Sequence, residues 1–375
     1  MLKTNIMGFE IKNPVVIGSG PWCRGENLKP ALTCGAGAIV TETITGDSYP
    51  DVSPRYDYDS GSRGLQNIRL YSSIDLETWI HDLKEIEKND RYGSDTKLIA
   101  SVMGSSSSEL AYIAKKVEKT GVDGIELGLA CPMGEGVSVI ASDAEKVYRY
   151  VSETVDAVKI PVSVKLSANS YNLPEVVKAC NKAGAAGISA IDTVRGILSI
   201  DIETGRPGLA TYGGYSGAPI KPIGLAIVAG IAQTSSLPLI GLGGIENGSN
   251  LLEYIMAGAS AGGVSSAVLL RGYDVVGEIL DYLEKWFESH NITDISMIKG
   301  RALDRLKSFE EIKVEKKVAS LKEVCAGRDC DICSRGCLDT AIFNDNGIRV
   351  DSAKCSGCGV CINICPDKKF ELVWK

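Results

Sequence analysis

Eight short apolar runs recur between residues 15 and 267, separated by longer amphipathic stretches, and this alternation constrains the fold more than any other feature. The runs are VVIGSG (15–20), AIVTETI (38–44), KLIASVMG (97–104), GIELGLA (124–130), PVSVKLS (161–167), GISAIDT (187–193), PLIGLGG (238–244) and AGGVSSA (261–267). Each is nearly continuous in apolar or small residues, the pattern of parallel strands buried on both faces. Between them lie helical stripes. Leu110, Ile113, Ala114 and Val117 follow i, i+3, i+4, i+7 spacing, Val147, Val151, Val155 and Val158 form a similar stripe, and Tyr273–His290 reads as a long amphipathic helix. Eight strand–helix units within residues 1–291 predict an α/β fold, a (β/α)8 TIM barrel. A doubly wound open sheet is the rival. The count of eight and the site signals at strand C-terminal ends favour the barrel.

The rest of the 375-residue chain differs in character. Residues 292–324 are charged and helix-prone and read as a linker. Residues 325–375 are too few for a large hydrophobic core, and units that small usually need metal or disulfides. Of 12 cysteines, eight fall between Cys325 and Cys365. The net charge of -7 argues against a general nucleic-acid binder. The longest apolar run, around Ile223–Ala232, falls well short of the ~18 residues of a membrane span. The opening MLKTNIMGFE lacks the apolar stretch of a secretion signal, so the expectation is a cytoplasmic protein with no membrane partner.

The tail cysteines are spaced Cys325-x4-Cys330-x2-Cys333-x3-Cys337 and Cys355-x2-Cys358-x2-Cys361-x3-Cys365-Pro366. The second quartet is the bacterial ferredoxin run for a [4Fe–4S] cluster, whose fourth cysteine crosses to the other cluster. By that pattern Cys325, Cys330, Cys333 and Cys365 hold one cluster, and Cys355, Cys358, Cys361 and Cys337 hold the other. A ferredoxin-like domain with two [4Fe–4S] clusters is therefore expected over 325–375. The first quartet departs from the pattern, with four residues where two are usual; C-x4-C-x2-C also resembles a plant-type [2Fe–2S] site, and structural zinc is a further alternative.

The barrel motifs resemble the dihydroorotate dehydrogenase superfamily and, with the cysteine tail, the flavin and iron–sulfur portion of dihydropyrimidine dehydrogenase. NIMGFEIKNPVVIGSG is similar to the family's N-terminal hairpin and first strand, GGYSGAPIKPIGL (213–225) to its most specific string, and GLGGI (241–245) with the end of AGGVSSA to its phosphate site. The resemblance implies an FMN site formed by Gly18, Ser19, Gly20, Glu42, Thr43, Lys165, Asp192, Ser216, Gly217, Gly243, Gly244, Ser265 and Ser266. Glycine lets backbone N–H groups approach a phosphate, and barrels commonly bind phosphate after strands 7 and 8. The resemblance further makes Lys165 and Cys131 catalytic. Lys165 stabilises negative charge on the reduced flavin, and Cys131, a thiol of ordinary pKa near 8.5, exchanges the proton opposite hydride transfer. Gly134 and Gly136, behind it, suggest a mobile lid.

The pyrimidine-reading positions depart from that family. Where it carries four asparagines this chain has Gly61, Gly128, Met133 and Asp192, the last followed by Thr193, and Glu42 stands where the family has a lysine. Sites built on such hydrogen bonds discriminate by orders of magnitude. The expected substrate is therefore a small molecule other than orotate, uracil or thymine. Glu42 and Asp192 suggest donors or positive charge on it, and Arg63, Arg69 and Arg195 are candidate partners for a carboxylate.

The reading that results is an FMN- and iron–sulfur-dependent oxidoreductase acting on a C=C or CH–CH bond beside a carbonyl, with electrons passing between clusters and flavin. Alternatives are dihydropyrimidine or dihydroorotate dehydrogenase proper, an electron-transfer subunit of a larger complex, and a dihydrouridine synthase-like RNA enzyme, which the acidic charge disfavours. No strand–GxGxxG–helix unit is visible. An external electron partner is expected, a ferredoxin or an NAD(P)H-dependent flavoprotein subunit, with the chain a homodimer or larger.

Overall fold

The apolar runs form strands whose residues are buried on both faces, and their pairing is parallel throughout. A computed structural model of the chain describes residues 2–131, 137–313, 316–325 and 330–374. Eight strands, β1 (Val15–Ile17), β2 (Ala38–Val40), β3 (Lys97–Val102), β4 (Gly124–Leu127), β5 (Val162–Leu166), β6 (Gly187–Ala190), β7 (Leu239–Leu242) and β8 (Ala261–Val264), close into a barrel in chain order. Closure comes from β8 pairing with β1, in the register Gly262↔Val15. The barrel expected from the sequence is thus present, and the open sheet is excluded.

Helices pack outside it on the faces that the apolar spacing indicates. Ser107–Glu118 buries Leu110, Ile113, Ala114 and Val117, and Ser106 caps it by accepting from the Glu109 N–H. Ala144–Ala157 is capped by Asp143 and buries Val147, Tyr150, Val151 and Thr154. Asp274–Ser289 buries Val275, Val276, Ile279, Leu283 and Phe287.

The two ends of the barrel are treated differently. At the start of the strands, the hairpin Thr4–Ile6/Phe9–Ile11 turns at Met7 and Gly8, both at positive φ. Its Ile6, Met7 and Ile11 pack with Val16, Val40, Ile99 and Ile240. A Cβ on Gly124, the first residue of β4, would fall 2.8 Å from the Met7 side chain. The hairpin therefore plugs the N-terminal end. Beyond the C-terminal ends, the connections after β2 and β6 combine into a four-stranded antiparallel sheet, in the order Val194–Gly196, Gly213–Gly217, Gly64–Asn67, Tyr56–Asp59.

Contacts divide the chain into Met1–Leu306 and Lys307–Lys375. The 292–324 stretch, read from sequence as a helical linker, is shared between these units and forms no long helix among its described residues. Ile292, Ile295 and Ile298 are buried with the barrel core around the 3-10 turn Ile295–Met297. Further on, Phe309–Glu311 is another 3-10 turn, and Lys317–Leu321 is a strand that buries Val318 and Ala319. Burial of these apolar side chains outweighs the helix propensity of the Lys- and Glu-rich segment, which tertiary context overrides.

The second unit pairs Lys317–Leu321 with Phe370–Trp374 and Ile342–Asn344 with Ile348–Val350, both antiparallel. Short helices Ile332–Arg335 and Val360–Ile364 complete it. Its core is small: Ala319, Cys333, Ile342, Ile348, Cys361 and Phe370. Among the described residues, no helix is long and apolar enough to cross a membrane.

Candidate active site

Every barrel strand delivers its last residues to the end that the hairpin leaves open. There they line one cleft of about 1190 Å³, its open mouth included. Of the residues singled out in the sequence, Ser19, Gly20, Glu42, Thr43, Gly128, Cys131, Lys165, Asp192, Thr193, Ser216, Gly217, Gly243, Gly244, Ser265 and Ser266 all border it. Gly18 lies at the adjoining end of β1, its N–H donated to the Val264 carbonyl. Gly61 is elsewhere: it is exposed in the turn between Tyr56–Asp59 and Gly64–Asn67, where its N–H donates to Asp59. Met133, with Gly134 and Gly136, falls outside the described residues.

One side of the cleft is a glycine cradle. Gly244 has φ +68°, and a Cβ there would lie 2.9 Å from the Gly217 carbonyl oxygen and 3.0 Å from the Lys221 nitrogen. Side chains larger than hydrogen are therefore excluded, and the backbone is open to a ligand. Ser265 and Ser266 follow the neighbouring strand β8, at the start of Ser266–Arg271. Close backbone approach plus hydroxyls suits a phosphate.

At the barrel axis Lys165, 7% exposed, lies 2.9 Å from Glu126, 2% exposed. Burial depresses the lysine pKa, but Glu126 and Asp192 more than offset this and hold the ammonium above its ordinary value. Lys165 is thus a fixed positive charge. Glu126 escaped the sequence reading. Its signal was a carboxylate inside the apolar run GIELGLA, with Lys165 similarly isolated in the neighbouring run. Beside them the Thr43 and Ser101 hydroxyls are 2.9 Å apart, and Asp192 accepts the Thr193 N–H at 2.6 Å.

The opposite wall is ionic. Glu42 accepts from Arg69 Nε at 2.6 Å, and Arg24 Nη1 stands 3.5 Å from its other oxygen. Arg69 Nη1 pairs with Asp51, which Arg24 and Arg55 also approach, at 3.9 and 4.0 Å. Glu42 is therefore already neutralised and is not the bare carboxylate its sequence position suggested. Of the candidate arginines, Arg69 borders the cleft. Arg63 pairs with Glu246 at 3.1 Å in an exposed setting, and Arg195 stacks over Tyr212. Tyr71 also lines the cleft and was missed by sequence. Burial, with Cys131, Tyr49 and Asp192 nearby, pushes its hydroxyl pKa up, so it remains protonated.

In the second unit, none of the cysteines is disulfide-bonded. Cys333 and Cys361 are in its core, with Cys325, Cys337, Cys355 and Cys365 packed against them. Burial raises the Cys333 thiol pKa, with Cys330 and Cys325 adding to it; Cys361 behaves likewise beside Cys355 and Cys358. Two of the tail sulfurs have backbone partners: the Ala319 N–H donates to Cys355 Sγ and the Ala341 N–H to Cys337 Sγ, each at 3.3 Å. Among the described residues, no three His, Cys, Asp or Glu side chains already stand as a metal site.

A closed (β/α)8 barrel with a phosphate-type glycine cradle, a fixed cation at the axis and a thiol at one rim defines a cofactor-binding barrel of the flavoenzyme kind. The chain belongs to the dihydroorotate dehydrogenase family, whose model matches residues 1–287. The dihydroorotate dehydrogenase B (NAD(+)) catalytic subunit of Methanocaldococcus jannaschii is 38% identical over 303 residues, covering 78% of this chain and 95% of the relative. The protein of the same name from Pyrococcus furiosus is 35% identical, covering 80% and 98%. The chloroplastic dihydropyrimidine dehydrogenase (NADP(+)) of Arabidopsis thaliana is 31% identical over 351 residues, covering 85% and 80%.

Proposed function

We propose that the chain is an FMN-dependent oxidoreductase acting on a C=C or CH–CH bond beside a carbonyl, with two [4Fe–4S] clusters in its second unit and a substrate other than a standard pyrimidine. The observation that carries this is the meeting of the Gly244 cradle, Lys165 and Cys131 in one cleft. Bound FMN supplies hydride exchange, and bound clusters supply one-electron transfer. The chain's own residues do the rest. Gly217, Gly243, Gly244, Ser265 and Ser266 hold the phosphate. Lys165, kept cationic by Glu126 and Asp192, places a positive charge where negative charge develops on the reduced cofactor. Cys131, buried at the rim, holds the proton that the substrate carbon gains or loses. Cysteine spacing supports Cys325, Cys330, Cys333 and Cys365 as ligands of one cluster and Cys337, Cys355, Cys358 and Cys361 of the other. The N–H···S bonds to Cys337 and Cys355 suit thiolates. The electron partner is a separate cytoplasmic protein.

Gly128 and Asp192 carry the case against pyrimidines, since neither offers the amide edge of asparagine. The names of the relatives favour a second reading, dihydroorotate dehydrogenase proper. Anaerobic purification should yield FMN and about eight iron atoms, the content of two cubanes. Dihydroorotate and dihydrouracil should fail to bleach the flavin. Bleaching by dihydroorotate establishes the second reading, and four or fewer irons in fully loaded protein removes the second cluster.

A further inference from the structure

Two buried donors at the cleft wall lack a hydrogen-bond partner. Two cationic side chains border the cleft among the described residues, Arg69 and Lys165. Lys165 is engaged by Glu126. Arg69 is 7% exposed and spends Nε on Glu42 and Nη1 on Asp51, but its Nη2 is buried with no hydrogen-bond partner. Two residues on, the Tyr71 hydroxyl is likewise buried and unpartnered. Glu42 Oε2 and Glu126 Oε1 also lack a hydrogen bond, yet they face the Arg24 guanidinium and the Lys165 ammonium, so their charges are compensated. The network as a whole sets the three guanidiniums of Arg24, Arg55 and Arg69 against the two carboxylates of Glu42 and Asp51, leaving one positive charge in excess. Buried donors are nearly always satisfied, so two at one cleft point to a ligand that supplies acceptors.

We infer that Arg69 is the substrate-binding residue for an anionic head group, and that the substrate of the proposed reaction is a carboxylate, with Tyr71 donating a second hydrogen bond to it. This rests on the flavin reading above and narrows it. It also reverses the polarity expected from Glu42 in the sequence: Glu42 does not receive the substrate but orients the guanidinium, and Asp51 fixes its other edge. Arg69 is held in its fork at both sides, so the nitrogen it offers is pre-organised for one carboxylate oxygen.

The test uses the FMN-loaded full-length protein. Flavin absorbance is titrated with crotonate and cinnamate and with their neutral amides. A saturable spectral change with a carboxylate, and a much weaker one with its amide, is expected. Arg69→Gln should weaken the carboxylate by roughly 10- to 100-fold, the loss of a charge-assisted hydrogen bond. Because Arg69→Gln strands Glu42, the pair Glu42→Gln/Arg69→Gln is measured beside it, and the same loss is expected. Arg69→Lys, which keeps the charge without the fork, should recover part of the affinity. Equal binding of acid and amide, no saturable change with either carboxylate, or wild-type carboxylate affinity in the double variant overturns the inference and leaves the flavin reading standing. Protein that cannot be loaded with FMN overturns both.

Discussion

Glu126 and Lys165 show how one residue pair sets what the cleft can do. A lone ammonium at the barrel axis would be costly, and a lone carboxylate equally so. Together they neutralise each other, and Asp192 adds to the field that keeps Lys165 protonated. Cys131 is placed differently, at the cleft edge with Tyr71 beside it. It is packed in the barrel core and also borders the cleft, as the proposed proton exchange requires. Cys131→Ala should leave flavin content unchanged and slow reoxidation of the reduced protein, by whichever enone the wild type accepts, by ~10²–10⁴-fold, the usual worth of general acid catalysis. Cys131→Ser should keep a small residual rate with its pH profile displaced upward. Stopped-flow absorbance decides between them, and a wild-type rate in Cys131→Ala would assign the thiol to structure.

At the scale of elements, the barrel was legible because buried parallel strands leave an unbroken apolar signature, as in the fully buried VVI of β1. The glycines of the proposed phosphate cradle were legible because Gly244 sits at positive φ, where glycine is the residue that tolerates the geometry. Gly244→Val should therefore abolish FMN binding while the barrel still forms; far-UV circular dichroism beside bound-flavin absorbance would separate the two. The antiparallel sheet over the cleft was not legible. Its strands Tyr56–Asp59 and Val194–Gly196 are mostly half-buried or exposed, so no alternation marks them. Its central pairing joins Gly214 to Asn67, far apart in sequence. Arg69 lies just past that pairing, which is why its role could not be chosen from three candidate arginines. The helical stretch expected over 292–324 failed for the opposite reason: charge and propensity suggested a helix, but Ile292, Ile295, Ile298, Val318 and Ala319 are taken up by two separate cores.

The whole molecule joins two units of very unequal self-sufficiency. The barrel unit buries dozens of apolar side chains between its strands and helices. Among its described residues the second unit has a core of six, two of which are cysteines, and four more cysteines pack against it. A core that small is marginal without a further crosslink. In the proposed reading the clusters' metal–thiolate bonds would supply it, since metal binding in such units is also folding free energy. Removing the iron should then act on one unit and spare the other. Full-length protein stripped of iron anaerobically should lose cooperative structure in Lys307–Lys375, seen as protease sensitivity and lost amide-exchange protection there. Flavin release on heating, which reports on the barrel, should keep its midpoint. If the stripped protein retains full protection in the second unit, its fold stands on its six-residue core, and the cysteines are not what holds it.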